Sequence, residues 1–436
     1  IAHREDERAF ISCEMDWCKL PVRCLTCRMA CGIQYNHQNK IKLFPSAQLE
    51  STSCVFILTN REPRTANHAS IQGDKMTRID PDYGISTIVN HLAEGDNAYY
   101  AHIAPIYQTS TFGYPDVETG GRIFIGEEPG YTYTRGGNPN TEQLARNYAY
   151  LEGLDLIRQH PDTPPDEIVI GEVTASGMAA ITSAVLSRVQ AGQTVVAQRH
   201  LYGNAYRFFN ELAPRFGIQV AWVDDLSATG WEAAFAAHPD AVLAYVETPA
   251  NPTLVIVDLQ MVAEIAHAND AWVMADNTFA TPYHQRPLTL GYDIVIHSTT
   301  KYLTGHGVVV GGVIISTYPD FMTSKQDGVG RMTYLLGPAV SPFDAWLANI
   351  GLKTFEVRMQ RHAENGLAVA QWLEAHPRVG RVDYPGLENH LGHGIALKQM
   401  HNGFGGMVSF ELKGGYDAGV TMMNNVQLAS LAVSLG

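Results

Sequence analysis

One lysine, Lys301, follows two hydroxyl side chains, Ser298 and Thr300, just after the apolar run Asp293-Ile294-Val295-Ile296. Hydroxyl groups bind phosphate well, and a lysine amine forms a Schiff base with an aldehyde. The segment therefore predicts a site for a phosphate-bearing aldehyde, which points to pyridoxal 5'-phosphate (PLP) as the cofactor. A lone Ser-x-Thr-Lys is more often a polar surface turn, so the prediction depends on other residues of the chain.

Two segments upstream favour the cofactor interpretation. Asp276 ends the apolar run Trp272-Val273-Met274-Ala275, and a carboxylate there can pair with the protonated ring nitrogen of PLP. Gly177 and Met178 open a predicted helix, whose first backbone N–H groups can face an anion. The alternatives are an aspartate that caps a turn and an ordinary helix start.

Two aromatic segments complete the candidate site. Tyr202, in Leu201-Tyr202-Gly203-Asn204, can stack on the pyridine ring, although a half-buried core tyrosine is the alternative. Tyr133 and Arg135 lie in a Gly/Pro-rich loop, where a guanidinium suits forked contacts with phosphate. The alternative for this loop is a surface turn.

Short apolar runs alternate with helical periods from about residue 139, and several of the runs are apolar on both alternating faces. This pattern predicts an α/β domain with a mostly parallel sheet covered on both sides, and ligands of such sheets bind beyond the strands' carboxyl ends. The predicted strands are Thr194–Ala197, Ile218–Val223, Ala241–Val246, Ala271–Ala275, Asp293–Ile296 and Val308–Ile315. The predicted helices include one capped at Asn140-Thr141-Glu142-Gln143, one opening at Gly177, and Gly230–His238, Leu259–Asn269 and Leu352–Glu374. Gly406–Leu412 is predicted as a strand of a smaller second domain.

Composition limits the function classes. A chain of 436 residues, 45% of them hydrophobic, can bury a large core and suggests two or three domains. The net charge of -14 argues against nucleic-acid binding. No apolar run reaches the roughly 18 residues of a membrane span, and no secretory segment is evident. We therefore expect a cytoplasmic protein with no membrane partner.

All six cysteines lie in the first 54 residues. Cys24-x2-Cys27 has the spacing of half a zinc site, but the chain offers no second ordered pair, so we predict no bound metal. Residues 1–75 differ in character from the rest, and we predict a non-native or disordered extension.

Taken together, these motifs resemble the Cys/Met-metabolism family of PLP enzymes, over about Thr87 to Gly436. Within that family the likeness is greatest to the methionine gamma-lyases and cystathionine gamma-lyases. Cystathionine gamma-synthases and O-acetylhomoserine sulfhydrylases are also similar. The segments that carry the resemblance are Pro105–Phe112, the Tyr133/Arg135 loop, Glu247–Pro252, Asp276–Thr278, Gln285–Gly291, the lysine segment, Phe410–Gly415 and Ala432–Gly436.

The resemblance implies the aspartate-aminotransferase-like fold (fold type I), with a smaller C-terminal α+β domain truncated at its C-terminus. Beyond the extension at 1–75, the implied parts are an arm at 76–138, a PLP-binding domain at 139–351 and a C-terminal domain at 352–436. The arm contributes to the neighbouring subunit's active site. The resemblance therefore implies a homodimer or homotetramer with shared sites.

Site roles are implied position by position. Lys301 is the Schiff-base lysine and carries protons between substrate carbons, while Tyr202 stacks on the ring and assists the leaving group. The implied cofactor contacts are Asp276 at the ring nitrogen, Asn251 near the ring hydroxyl, Ser298, Thr300, Gly177 and Met178 at the phosphate, and Tyr133 and Arg135 at the partner's phosphate. Ser434 is implied near the substrate carboxylate.

The implied activity is gamma-elimination on methionine, homocysteine or cystathionine, giving 2-oxobutanoate, ammonia and a thiol. The alternative is gamma-replacement on an acylated homoserine, giving cystathionine or homocysteine. Asn204 stands where methionine gamma-lyases typically carry cysteine, and Val308 where many relatives place aspartate; both departures lean toward replacement. A third hypothesis is an inactive fragment that binds PLP or merely oligomerises, because its first residues look foreign and the family's tail, which carries an arginine that grips the substrate carboxylate, is expected to be missing. Asn140, in place of a threonine, is expected to be a harmless helix-cap exchange.

Overall fold

The computed structural model describes residues 80–92, 97 and 101–436, together with the backbone of two short strands near the start. The chain separates into two units, Ile1–Ser70 and Ile71–Gly436. In the first unit, β1 (Gln34–Tyr35) pairs antiparallel with β2 (Ile41–Lys42). All six cysteines, including the Cys24-x2-Cys27 pair, lie outside the described residues, so the expectations for residues 1–75 stay predictions.

A seven-stranded sheet forms the centre of the second unit, in the order β3-β9-β8-β7-β6-β4-β5. Its strands are β3 (Ile170–Thr174), β4 (Thr194–Gln198), β5 (Gln219–Val223), β6 (Ala241–Glu247), β7 (Trp272–Asp276), β8 (Ile294–His297) and β9 (Gly312–Ser316). The five strands from β8 to β5 are parallel, and β9 runs antiparallel to both β8 and β3. The predicted mostly parallel α/β sheet is confirmed.

Helices occupy most of the remaining described chain. The α-helices are α1 (Ile85–His91), α2 (Val117–Ile125), α3 (Pro139–Glu152), α4 (Leu154–Gln159), α5 (Pro165–Ile168), α6 (Gly177–Arg188), α7 (Gly203–Arg207), α8 (Ala228–Ala237), α9 (Leu259–Ala268), α10 (Thr281–His284), α11 (Pro319–Thr323), α12 (Gly328–Leu336), α13 (Pro342–Leu352), α14 (Phe355–Glu374), α15 (His393–Gln399) and α16 (Gly415–Asn425). Among the described residues, no helix is both long and apolar enough to cross a membrane.

Successive residues of the central strands pack into two different hydrophobic clusters, one on each face of the sheet. Val196 and Val295 belong to one cluster, while their neighbours Val195 and Ile294 belong to the other. Because strand side chains alternate between faces, a strand buried on both sides must be apolar at every position. Burial of each such side chain contributes about 1.5–3 kcal/mol to stability. Strands of this kind therefore show up in the sequence as unbroken apolar runs, from which they were predicted.

A small antiparallel pair, β10 (Val379–Asp383) and β11 (Ser409–Leu412), follows the main sheet in sequence. Tyr384 is fully buried in the cluster beside it, and Ala370 and Leu373 of α14 complete that core. The predicted strand Gly406–Leu412 is confirmed only in its second half. The domain limits drawn at residues 76, 139 and 352 stay predictions.

Two predicted strand and helix limits were wrong. The strand predicted at Val308–Ile315 begins only at Gly312, because Gly311 is bonded to the Thr300 side chain through both its N–H and its carbonyl. The helix predicted at Leu352–Glu374 is divided between α13 and α14. At the break, the carbonyl of Lys353 accepts a hydrogen bond from the Asn90 side chain, and the Lys353 amine donates to the Asn90 carbonyl.

The predicted cap of α3 was also wrong. Asn138 caps this helix by accepting from the N–H of Asn140, and Pro139 occupies the first turn. The buried Asn140 side chain instead accepts from the N–H of Tyr107 and donates to the carbonyl of Pro105, both at 2.8 Å. Asn140 therefore fixes the segment before the helix and is not its cap.

Candidate active site

Three buried polar side chains end three adjacent parallel strands. Glu247 ends β6, Asp276 ends β7 and His297 ends β8, and Glu247 lies in register with Asp276. Carboxyl ends of parallel strands share one edge of a sheet, so these residues meet at the place where α/β proteins bind ligands.

A cavity of about 250 Å³ opens at this edge. Eight residues singled out from the sequence line it, namely Gly177, Met178, Tyr202, Asn251, Asp276, Ser298, Thr300 and Lys301. Ser434 is bonded to Lys301, and its neighbours Val433 and Leu435 also line the cavity. The structure thus brings together nine of the eleven candidate residues.

Lys301 lies in a tight turn after β8. Its N–H donates to the Ser298 carbonyl at 3.2 Å, and its own carbonyl accepts from Gly305 N–H at 2.8 Å. The amine Nζ donates to Ser434 Oγ at 2.9 Å. Burial lowers the pKa of the Lys301 amine, which favours the neutral form that acts as a nucleophile or a base.

Asp276 is buried, with 8% of its surface exposed. Burial raises the pKa of its carboxyl group, and hydrogen bonds from Thr278 oppose that rise, including one from the Thr278 N–H at 3.0 Å. The Thr278 hydroxyl also accepts from Ser298 N–H at 2.8 Å. Thr278 therefore links the carboxylate to the loop that leads to the lysine.

The start of α6 approaches that loop closely. Ser176 Oγ accepts from Ala179 N–H at 3.1 Å and caps the helix. A Cβ added to Gly177 would lie 2.6 Å from Ser298 Cβ. Only glycine permits this approach, which places the positive end of a 12-residue helix beside the Ser298 and Thr300 hydroxyls.

Tyr202 precedes α7 and is 40% exposed. Its phenol oxygen accepts a hydrogen bond from Asn204 Nδ2 at 2.9 Å. Its backbone N–H donates to Glu247 Oε2 at 2.8 Å, and Glu247 Oε1 accepts from Asn251 N–H at 2.7 Å. Sequence reasoning gave Glu247 no role; the available signal was an acidic residue ending a buried strand next to that of Asp276.

Tyr133 and Arg135 do not line the lysine cavity. Arg135 lines a second cavity of about 390 Å³, and its guanidinium stacks 4.3 Å from the Tyr334 ring centroid while donating to the Tyr334 carbonyl. Tyr133 is 48% exposed. Within this chain the two residues are therefore separate from the other nine.

Comparison with known proteins identifies the family. The chain matches the Cys/Met metabolism PLP-dependent enzyme family over residues 86–436. The chain belongs to this family. Its relatives include an L-methionine gamma-lyase of Fusobacterium nucleatum subsp. polymorphum, 45% identical over 355 residues, or 81% of this chain and 85% of that protein.

Further relatives include a second methionine gamma-lyase and two enzymes with different names. An L-methionine gamma-lyase of Porphyromonas gingivalis is 43% identical over 81% of this chain and 84% of its own length. An O-succinylhomoserine sulfhydrylase of Pseudomonas aeruginosa is 38% identical over 77% of this chain and 78% of its own. The solved cystathionine gamma synthase of Xanthomonas oryzae pv. oryzae has a TM-score of 0.73 and 35% identity, over 81% of this chain and 84% of that one.

The chain is a PLP-dependent enzyme, and the residues of the lysine cavity fit that cofactor. A partly buried amine suits the aldehyde, and a buried carboxylate suits the ring nitrogen. Hydroxyls beside a helix N-terminus suit a phosphate. Among the described residues, no cluster of three or more His, Cys, Asp or Glu side chains suits a metal ion.

Proposed function

We propose that this enzyme catalyses gamma-elimination on L-methionine or a related sulfur amino acid, giving 2-oxobutanoate, ammonia and a thiol. The observation that carries the proposal is the identity of 45% and 43% to two L-methionine gamma-lyases, against 38% to the sulfhydrylase. The lysine cavity supports the proposal, because a base, an acid and a set of phosphate-binding groups line the same cavity.

Bound PLP supplies an electron sink for charge that develops on the substrate carbons. We infer that Asp276 holds the ring nitrogen and that Asn251 lies near the ring hydroxyl. Gly177, Met178, Ser298 and Thr300 bind the phosphate in this proposal. Each of these residues lines the lysine cavity.

Lys301 moves the protons. Its amine, whose pKa burial lowers, removes the proton from the substrate's alpha carbon, passes that proton on, and as a free amine again removes the one from the beta carbon. Tyr202 stacks on the ring, and its phenol donates a proton to the leaving sulfur. Asn204 Nδ2, 2.9 Å from that phenol oxygen, steadies the tyrosine. Ser434 binds the substrate carboxylate, close to the lysine amine.

Gamma-replacement on an acylated homoserine is the second candidate function. Asn204 favours it, because a polar amide bonded to the Tyr202 phenol replaces the cysteine typical of methionine gamma-lyases. Val308 also favours it, since this uncharged side chain is 51% exposed in the segment after the lysine.

The decisive experiment measures 2-oxobutanoate release from L-methionine, L-homocysteine and L-cystathionine without a second substrate. Rapid release establishes elimination, and the preferred substrate specifies the activity. Little release, with turnover of O-acetyl- or O-succinyl-L-homoserine once sulfide or cysteine is added, would assign replacement instead. No turnover in either assay would contradict both candidate functions.

We also propose that the active unit is a homodimer or homotetramer in which Tyr133 and Arg135 reach the partner's PLP phosphate. The separation of Arg135 from the lysine cavity of its own chain supports this arrangement. Cytoplasmic location stays a prediction.

A further inference from the structure

Glu247 makes contacts in the lysine cavity that the proposed roles of the other residues do not explain. It lines the cavity, and only 5% of its surface is exposed. A buried carboxylate is costly to maintain unless hydrogen bonds or a charge partner compensate for the lost water. The hydrogen-bond partners and neighbouring charges of Glu247 therefore indicate its role.

Both carboxylate oxygens accept backbone N–H groups from separate loops. Oε2 accepts from Tyr202 at 2.8 Å, and Oε1 accepts from Asn251 at 2.7 Å. One side chain thus ties the residue proposed to stack on the ring to the residue proposed to lie at the ring hydroxyl.

The backbone of Glu247 is itself fixed from the next strand. Gln198, which ends β4, donates from Nε2 to the Glu247 carbonyl at 2.8 Å and accepts from the Glu247 N–H at 3.2 Å. The carboxylate is therefore held on a rigid element, and it can hold the loops in turn.

Glu247 also lies beside Asp276 in the sheet register. Burial, and then the charge of Asp276, raise the pKa of Glu247 to about 8, while the two N–H donors oppose the rise. The other titratable groups around the pair are Tyr245 on β6, His297 at the end of β8, and Tyr202 and Lys301 in the cavity. A group with this pKa binds a proton at neutral pH and releases it in mildly alkaline solution.

We propose that Glu247 is a positioning residue that fixes Tyr202 and Asn251 around the cofactor and holds one exchangeable proton beside Asp276. The inference rests on the roles given to Tyr202, Asn251 and Asp276 under the proposed function. It adds a pH-dependent element to cofactor binding that those residues alone do not supply.

The test compares the PLP dissociation constant of the full chain with those of Glu247→Gln and Glu247→Ala. Glutamine retains one acceptor oxygen but turns an NH₂ group toward the other N–H, which loses its acceptor, and we expect affinity to fall about tenfold or more. Alanine removes both acceptors and should weaken binding further. Glu172→Gln is the control, because its carboxyl lies on β3 by the other cavity and burial raises its pKa to about 7.

Titration of the dissociation constant through pH 8 separates a proton-holding role from a purely structural one. Above that pH, Glu247 is ionised. Its negative charge then adds attraction for the protonated ring nitrogen of PLP that Asp276 is proposed to hold. The ratio of the Glu247→Gln constant to the wild-type constant should therefore grow as pH rises through about 8, while Glu172→Gln follows the wild type. A ratio that is constant with pH, or unchanged affinity in Glu247→Gln, would overturn the inference.

These readouts do not depend on turnover. If the wild type releases no 2-oxobutanoate but the binding contrast holds, the proposed substrate is wrong and the role of Glu247 stands. If elimination is confirmed and Glu247→Gln binds PLP like the wild type, the proposed function stands and the role proposed for Glu247 is wrong.

Discussion

At the scale of single residues, the chemistry depends on an amine that a turn presents to a cavity. Lys301 is held by backbone hydrogen bonds on both sides and donates to one hydroxyl, so its nucleophilicity arises from burial and not from a neighbouring base. Sequence alone predicted this lysine because it follows a buried strand with hydroxyls at fixed spacing.

Lys301→Ala should abolish the visible absorbance of lysine-bound PLP and reduce turnover by at least about 10²-fold, the usual lower effect of losing a general acid–base group. Absorption spectra and keto-acid assays check both. Lys398→Ala, on an exposed turn of α15, is the matched control and should leave both unchanged. A visible band that persists in Lys301→Ala would refute the lysine assignment.

Contacts made by backbone groups could not be predicted from the sequence. Glu247 was visible only as one letter of a motif, because its partners are N–H groups of Tyr202 and Asn251, whose positions depend on the paths of two loops. Arg135 was predicted to bind the cofactor phosphate, and this stays a prediction, because spacing along the chain does not indicate which cavity a side chain lines.

At the scale of elements, the close approach of α6 to the lysine loop requires glycine. In Gly177→Ala the new Cβ would lie 2.6 Å from Ser298 Cβ, so the helix end or the loop must shift. We expect PLP affinity to fall about tenfold and stability by about 1–3 kcal/mol, as for overpacked cores.

Gly394→Ala is the control for that substitution, because a Cβ on this α15 glycine meets no atom within 4 Å. Equilibrium dialysis with PLP and urea unfolding measure the two effects. Wild-type affinity and stability in Gly177→Ala would show that the helix end does not form the phosphate cradle.

A histidine joins α10 to the segment after α15. His284 is fully buried, and its Nδ1 lies 3.1 Å from the His401 carbonyl, to which it donates. Burial lowers the pKa of His284 to about 4. Since the folded pKa lies below the ordinary value, folding is favoured at neutral pH and this contribution is lost as pH falls from about 6.5 to about 4.

This histidine should therefore destabilise the fold by about 2 kcal/mol at pH 5 relative to pH 7. Urea unfolding of the wild type and of His284→Gln at both values measures it, with the variant expected to lose less stability on acidification. His160→Gln, at the exposed C-terminal end of α4, is the control. Equal acid sensitivity in wild type and His284→Gln would contradict the assignment.

At the scale of the whole molecule, the proposed sharing of active sites predicts complementation between inactive subunits. Arg135→Ala should weaken PLP retention, since a guanidinium fork is lost from the phosphate. Co-expressed with Lys301→Ala, it should give hybrid dimers with one intact site in two, and about a quarter of wild-type activity from random pairing.

Differently tagged subunits allow the hybrids to be purified, and the purified hybrids should have about half of the wild-type activity. Arg331→Ala, an exposed arginine on α12, is the control and should be fully active alone. Hybrids no more active than their parents would show that each site is complete within one chain.

The distribution of cysteines along the chain has a chemical consequence for the proposed reaction. Every cysteine lies before residue 55, and the side chain bonded to the Tyr202 phenol is that of Asn204. Residues 55–436 therefore contain no sulfhydryl with which the thiol of the proposed reaction can form a mixed disulfide. Electrophiles that alkylate only cysteine likewise have no target in this part of the chain.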